Sequence, residues 1–408
     1  MSKDLINHRK TSATLQLLNW KGEPLANQEV CIHLTNHEFL FGCGASHAVD
    51  YTSVPKGQQK AFWEDRMKKW LDVFNYGTLH FYWGFFEPVE GKPNTLALLR
   101  AANYLNEHNV KVKGHPLCWH TCCADWLLKY SNEEILAKQK KRIQRDVSEF
   151  CNTIDAWDVI NEVVIMPEYD RYDNAITRIC KDLGRVNMVK TMFDEAKAAN
   201  PDSFLLINDF NLSKNYETLI DDCLNAGVPI SAIGIQTHQH QGYMGAERLY
   251  EILHRFEKFG LPLHFTENTL ISGDLMPKEI VDLNDFQPQS WPSTMEGEAR
   301  QAKEMEEMYR ILFAHPLVEA ITAWDFADGA WLGAPSGIIR KDNSTKPVYD
   351  MLKHLIKEEW MTSTTLKTNE DGWLTLEGYK GQYELQAGSC IASYQLSAKE
   401  KEARIHLV

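Results

Sequence analysis

The 408-residue sequence predicts an α/β fold: a (β/α)8 barrel with a small β appendage formed by its N- and C-terminal segments. Three observations predict it. Between Phe39 and about Trp360, short apolar runs alternate with longer amphipathic ones, eight of each, which is the pattern of a parallel sheet covered by helices. Two of the apolar runs end in a carboxylate, Glu162 and Glu267, and the C-terminal ends of barrel strands are where such folds keep their chemistry. Both ends of the chain instead alternate with period two between turn dipeptides, the mark of hairpin strands. The alternative is a doubly wound open sheet. That fold more often carries a glycine-rich phosphate turn after its first strand, and Phe41-Gly42-Cys43-Gly44 is too short to be one. An eight-unit TIM barrel is the better fit.

Taken in order, residues 1–38 hold two alternating stretches, Thr14–Leu18 and Glu29–Thr35, around a Lys21-Gly22-Glu23-Pro24 turn. The barrel is expected over 39–361. Its strands are Phe39–Gly44, Tyr76–Tyr82, Val110–Trp119, Ala156–Val163, Phe204–Asn208, Ala232–Thr237, Leu263–Thr269 and Ala320–Phe326. Its helices are Gln59–Phe74, Leu96–Asn109, Glu133–Cys151, Ala175–Ala199, Asn215–Ala226, Ala246–Phe259, Glu298–Ala314 and Val348–Glu359. Three helices have clear stops at Asn200-Pro201, Gly227 with Pro229, and Gly260 with Pro262. Residues 362–408 carry Trp373–Leu376, Tyr383–Leu385 and Ile391–Leu396, with turns at Asp371-Gly372 and Lys380-Gly381. The terminal strands are expected to pair into one docked β module, more a stabilising appendage than a sugar-binding one. Two long loops, Ile271–Thr294 and Asp328–Lys346, follow the seventh and eighth strands. Long loops in a compact domain are usually functional, and Trp291 and Trp331 suit the walls of a sugar cleft.

A net charge of -13 argues against a nucleic-acid partner. The locally basic run Lys138–Arg145 reads as the solvated face of a helix. Nine cysteines in no regular framework suit free, mostly buried thiols. The N-terminus lacks an apolar h-region and no window is apolar enough to span a membrane. A cytoplasmic protein is expected, or a secreted one if a signal peptide has been removed. The sequence carries no expectation about oligomeric state.

Retaining glycoside hydrolysis needs one carboxylic acid to protonate the leaving oxygen and one carboxylate to attack the anomeric carbon. Glu162 and Glu267 suit those roles, and a charged Glu267 would help keep Glu162 protonated. Each could instead merely end a strand paired with a base. Asn161 beside Glu162 favours the catalytic reading, because an amide there can hold a sugar 2-hydroxyl. His115 and Trp119 end the third strand, Gln236 and His238 the sixth, and Trp324 the eighth. Amides and imidazoles bind hydroxyls, and indole faces stack on pyranose rings. His115, Cys118, His120, Cys122, Cys123 and the pair His238 and His240 are residue types that can ligate a metal. Their spacing matches no structural zinc pattern, so neither metal nor cofactor is expected. The partner is an oligosaccharide or polysaccharide substrate. A catalytically silent sugar-binding barrel is the rival from another class.

From Phe39 to about Lys357 the sequence resembles glycoside hydrolase family 10, best known for retaining endo-β-1,4-xylanases. Trp157-Asp158-Val159-Ile160-Asn161-Glu162 looks like its acid/base motif. Gly114–His120, Asn208-Asp209-Phe210-Asn211 and Gly234–His238 resemble its third-, fifth- and sixth-strand motifs, and Phe265-Thr266-Glu267 sits at its nucleophile. The resemblance implies Glu162 as acid/base, Glu267 as nucleophile and Asn161 on the 2-hydroxyl. It also implies sugar contacts by His115 and Trp119, positioning of the nucleophile by Gln236 and His238, a floor from Trp324, and further cleft contacts from Trp331, His80 and Asn208. There are departures. The family usually has Glu-Asn and then Lys after its second strand; His80, Phe81 and Gly84 stand there, implying an aromatic wall in place of a polar grip. Cys122 replaces a frequent Gln. Asn268-Thr269 replaces Leu-Asp, removing an acid expected to support His238. The glycone preference is therefore expected to differ, with xylan or xylo-oligosaccharides as first substrate and another β-glycoside as alternative.

Overall fold

The computed structural model describes residues 3–408. A 3-10 turn at Lys3–Arg9 leads into β1 (Lys10–Leu18) and β2 (Glu29–His37). Eight parallel strands then alternate with helices: β3 (Leu40–Gly44), β4 (Tyr76–His80), β5 (Lys111–His115), β6 (Ala156–Asn161), β7 (Phe204–Asp209), β8 (Ala232–Gln239), β9 (Leu263–Leu270) and β10 (Val318–Ala323). They pair in chain order and β10 closes on β3, giving the (β/α)8 barrel. Strands buried on both faces have no polar side to alternate with, which is why they read as plain apolar runs. Residues of β6 and β9 are buried throughout.

Four elements differ from the sequence reading. The helix expected over Ala175–Ala199 is two helices, Ala175–Leu183 and Arg185–Ala199, separated by Gly184 at φ +74°. A glycine in left-handed conformation ends a helix at little cost. Ser46–Ser53 is helical where no helix was expected, as is the single turn Trp83–Phe86. β5 stops at His115 rather than Trp119, because Pro116 cannot donate to the ladder.

The tail forms β11 (Ser363–Lys367), β12 (Trp373–Tyr379), β13 (Gly381–Ala387), β14 (Cys390–Leu396) and β15 (Glu402–His406). With the N-terminal strands these make two sheets, β12-β1-β15 and β11-β2-β13-β14. The hairpin expected between the two N-terminal stretches therefore does not form. Asn19 closes the turn by accepting from Lys21 N and Glu23 N, but the chain then crosses to the second sheet. Lys380-Gly381 is likewise a corner between sheets rather than a hairpin turn. A Cβ on Gly381 would lie 2.2 Å from Asn36 O, so the corner requires glycine. Alternation predicts which side chains face inward, not which strand lies next door.

Leu15, Leu17, Val30, Ile32, Leu34, Leu376 and Leu385 face inward, each at most 1% exposed, and join one core with the base of the barrel. Arg9 fastens the two parts. Its guanidinium donates to Phe313 O at 2.9 Å, His315 O at 2.7 Å and Val318 O at 2.6 Å, and lies over the Phe39 ring. Val318 begins β10, so the sheets sit under the N-terminal ends of the barrel strands. Among the described residues no helix is long and apolar enough to cross a membrane.

Candidate active site

Glu162 directly follows β6 and has φ +56°, a left-handed backbone rare for glutamate. Its N–H donates to Asn208 O at 2.8 Å, which holds the turn. Consecutive strand residues normally point to opposite faces. This turn breaks the alternation, so Asn161 and Glu162 both reach Gln236, whose Nε2 lies 3.0 Å from Asn161 Oδ1 and 3.3 Å from Glu162 Oε1. β9 solves the same problem with a register shift against β8 between Ile235 and Gln236. Thr266 and Glu267 both then meet Asn208.

Asn208 is the hub. Its Nδ2 donates to Asn161 Oδ1 at 2.8 Å and to Glu267 Oε1 at 2.7 Å, while Thr266 Oγ1 donates to its Oδ1 at 2.6 Å and fixes the amide's orientation. Trp119 Nε1 donates to Glu162 Oε2 at 2.8 Å, and His238 Nε2 to Glu267 Oε2 at 3.1 Å. His115 presents Nε2 3.9 Å from Glu267 Oε1 and donates from Nδ1 to Asp158 Oδ2 at 2.7 Å. Lys113 Nζ lies 2.7 Å from that same oxygen, the pair wholly inside the barrel.

The two carboxyls are driven apart electrostatically. Burial, then the charge on Glu267, pushes Glu162 up to about 8. Burial alone would raise Glu267 too, but His115 and His238 outweigh it and hold that carboxyl below its ordinary range. Near neutral pH the site thus keeps one carboxylic acid and one carboxylate, the division of labour that acid-assisted glycosyl transfer requires.

Aromatic rings enclose the pair. Trp324 packs among His80 at 5.0 Å, His115 at 5.2 Å and His238 at 6.0 Å. Trp331 lies 4.5 Å from His238 and 4.8 Å from His240. The second-strand wall is not the expected one. Phe81 points out of the barrel into a core of Phe86, Phe150 and Trp157, fully buried. Its place at the mouth belongs to Tyr82, which stacks on His80 at 5.0 Å and 7° and packs 5.3 Å from Trp119. Strand alternation was the signal for this: with His80 inward, Phe81 faces out. At Gly84 a Cβ would meet Cys123 O at 2.9 Å and Cys122 O at 3.0 Å, so no side chain fits under that loop.

The replacement at 268–269 also has a local explanation. Asn268 turns away from His238, accepting from Thr237 and donating to Phe265 O at 3.0 Å and Thr322 O at 2.8 Å. A second acid near His238 is Asp325, which the sequence reading missed and whose own titration feels the His238 charge. It is buried, accepts from Ser336 Oγ at 2.5 Å, and is pushed up by burial to about 6. The two long loops are tied together over the mouth. Ser293 donates to Asp328 Oδ2 at 3.1 Å, and the buried Lys346 Nζ reaches Asp328 Oδ1 at 2.5 Å and Ser272 Oγ at 2.8 Å.

A closed parallel barrel with an acid–carboxylate pair at its C-terminal mouth defines the glycoside hydrolase class. More particularly, the model of Glycosyl hydrolase family 10 matches residues 81–355, well over half of the chain, and the chain belongs to that family. It is 24% identical over 365 residues to endo-1,4-beta-xylanase B of Thermotoga neapolitana, covering 85% of this chain and 97% of that one. It is 25% identical over 306 residues to an endo-1,4-beta-xylanase/feruloyl esterase of Xylanibacter ruminicola, covering 67% of this chain but 40% of that protein. For endo-1,4-beta-xylanase C of Paenibacillus barcinonensis the shares are 75% and 30% at 25% identity, so the chain spans less than half the length of these two relatives. Native xylanase 10B from Thermotoga maritima shares the fold with a TM-score of 0.63 at 23% identity, covering 79% of this chain and 96% of that one. The GH10 structure from Paenibacillus barcinonensis gives a TM-score of 0.64 at 22%, covering 78% and 94%.

Proposed function

We propose that the protein hydrolyses β-glycosidic bonds with retention, acting on xylan or xylo-oligosaccharides. The observation that carries this is the opposite perturbation of Glu162 and Glu267 within one network closed by Asn208 and Gln236. A sugar-binding barrel has no need of a carboxyl raised to about 8 beside one held low. Glu267 attacks the anomeric carbon while Glu162 gives its proton to the leaving oxygen. The C–O bond breaks and a glycosyl–Glu267 ester forms. Glu162, now a carboxylate, takes a proton from water, which displaces Glu267 and regenerates both groups. Asn161, held by Asn208 and Gln236, is placed to bind the 2-hydroxyl. The names of the xylanase relatives support the xylan assignment.

Mass spectrometry after reaction with a 2-deoxy-2-fluoro-β-xyloside tests the mechanism. A covalent sugar on the peptide carrying Glu267 is expected; an adduct elsewhere, or turnover by Glu267→Ala at the normal rate, sinks it. The His80–Tyr82 stack favours a second substrate reading, a β-glycoside with a non-xylosyl glycone, since a flat aromatic wall selects for a ring face more than for particular hydroxyls. A panel of aryl β-glycosides decides: the higher kcat/KM identifies the preferred glycone.

A further inference from the structure

Under the barrel, where the terminal sheets meet the N-terminal ends of the strands, lies a cavity of about 440 Å³. Small-molecule sites run from ~300 to ~1,000 Å³. Its inner wall is built by Tyr76 at the start of β4, Phe204 at the start of β7 and His264 on β9; Arg9, Phe313 and Glu319 form its outer part. β4, β7 and β9 are not neighbours in the barrel. Their side chains meet only in its lumen, where His264 stacks on Phe204 at 5.5 Å and meets Tyr76 edge-on at 6.3 Å. The cavity therefore reaches into the lower interior of the barrel, at the opposite end from Glu162 and Glu267.

Two of these side chains carry unanswered polar atoms. Tyr76 is 1% and His264 2% exposed, and neither the phenol oxygen nor either imidazole nitrogen has a hydrogen-bond partner among the described residues. Leaving such a group unpaired costs ~1–3 kcal/mol, so whatever occupies the cavity must answer them. His8 and His37 also line it with unpartnered Nε2 atoms. Burial keeps both imidazoles uncharged near neutral pH, with values lowered to about 4 and about 3. The formal charges around the cavity cancel: Arg9, Lys111 and Lys380 against Glu38, Asp155 and Glu319. Lys380 is paired with Glu38 at 3.1 Å, and the Arg9 guanidinium is occupied by three carbonyls. No net charge remains to draw an anion or a cation. What remains is neutral hydrogen-bonding capacity beside the apolar surface of Phe204 and Phe313.

We propose that this cavity is a second binding site, separate from the mouth, for a neutral pyranose sugar whose hydroxyls engage Tyr76 and His264. The proposal stands apart from the catalytic reading, since it uses none of the residues at the mouth. Calorimetric titration of the full chain with D-xylose, and separately with inorganic phosphate, tests it. Trp324→Ala removes the floor of the mouth, so xylose binding that survives in that variant reports the lower cavity. Adding Tyr76→Phe, which deletes only an unpartnered hydroxyl, or the rim substitution Glu319→Ala is expected to weaken that remaining binding about tenfold. As single substitutions, each should leave kcat/KM unchanged. The proposal is overturned if Trp324→Ala abolishes all xylose binding, if neither added substitution weakens what remains, or if phosphate binds there in place of the sugar.

Discussion

At the C-terminal mouth, nearly every polar atom of Asn161, Asn208, Glu162 and Glu267 is held by another side chain. At the N-terminal base, Tyr76 and His264 are as deeply buried, and their polar atoms have no hydrogen-bond partner among the described residues. The mouth is an organised network that spends backbone strain at Glu162 to aim two carboxyls. The base is a stapled joint with a cavity in it. The same eight strands supply both ends, so the contrast lies in the loops and in what caps each rim. It teaches that burial by itself does not mark a reacting group: a partner that splits two titrations does.

Substitutions at either end sharpen the contrast. The largest effect is expected for Glu267→Ala, with a loss of about 10⁶-fold in kcat, as when a covalent nucleophile is removed elsewhere, and little change in melting temperature. Steady-state kinetics on an aryl xyloside, beside a melting curve, checks it. Glu162→Gln should cost about 10²–10⁴-fold on substrates whose leaving group needs a proton, and much less on a dinitrophenyl glycoside. An equal loss on both would remove the acid role.

Arg9→Ala tests the base. It removes the guanidinium donor from three backbone carbonyls and should lower unfolding stability by about 2–4 kcal/mol with kcat/KM intact. Denaturant unfolding and kinetics on one sample separate the two. The pH profile of kcat/KM should be a bell. In the proposed mechanism activity needs Glu162 protonated, so the alkaline limb falls through about 8. It needs Glu267 ionised, so the acid limb falls only below the ordinary glutamate range. In Glu162→Gln the alkaline limb should vanish. The smallest effect is expected for Tyr82→Phe, a few-fold change in KM without loss of the His80 stack.

The eight strands and both glutamates were legible because buried parallel strands are written as apolar runs and their polar terminators stand out. What escaped reading depended on geometry after a strand ends. Tyr82, not Phe81, reaches the mouth because alternation past His80 turns Phe81 outward. The left-handed turn at Glu162, which brings it to the same face as Asn161, has no compositional signature in a non-glycine residue. Asp325 follows β10 and His238 lies on β8, so no local pattern links them. The termini read as strands because faces alternate, but sheet membership depends on long-range pairing. β1 lies between β12 and β15, both from the far end of the chain, Lys10 pairing with Tyr379 near one end and Leu18 with His406 at the other.

That placement of β1 has a practical side. Strands near both chain ends are knitted into the sheets under the barrel, with β15 running alongside β1. A tether, tag or surface linkage at either end therefore hangs on the far side from the mouth. The protein could be immobilised through either terminus, or joined to a neighbouring module, with the cleft still facing outward.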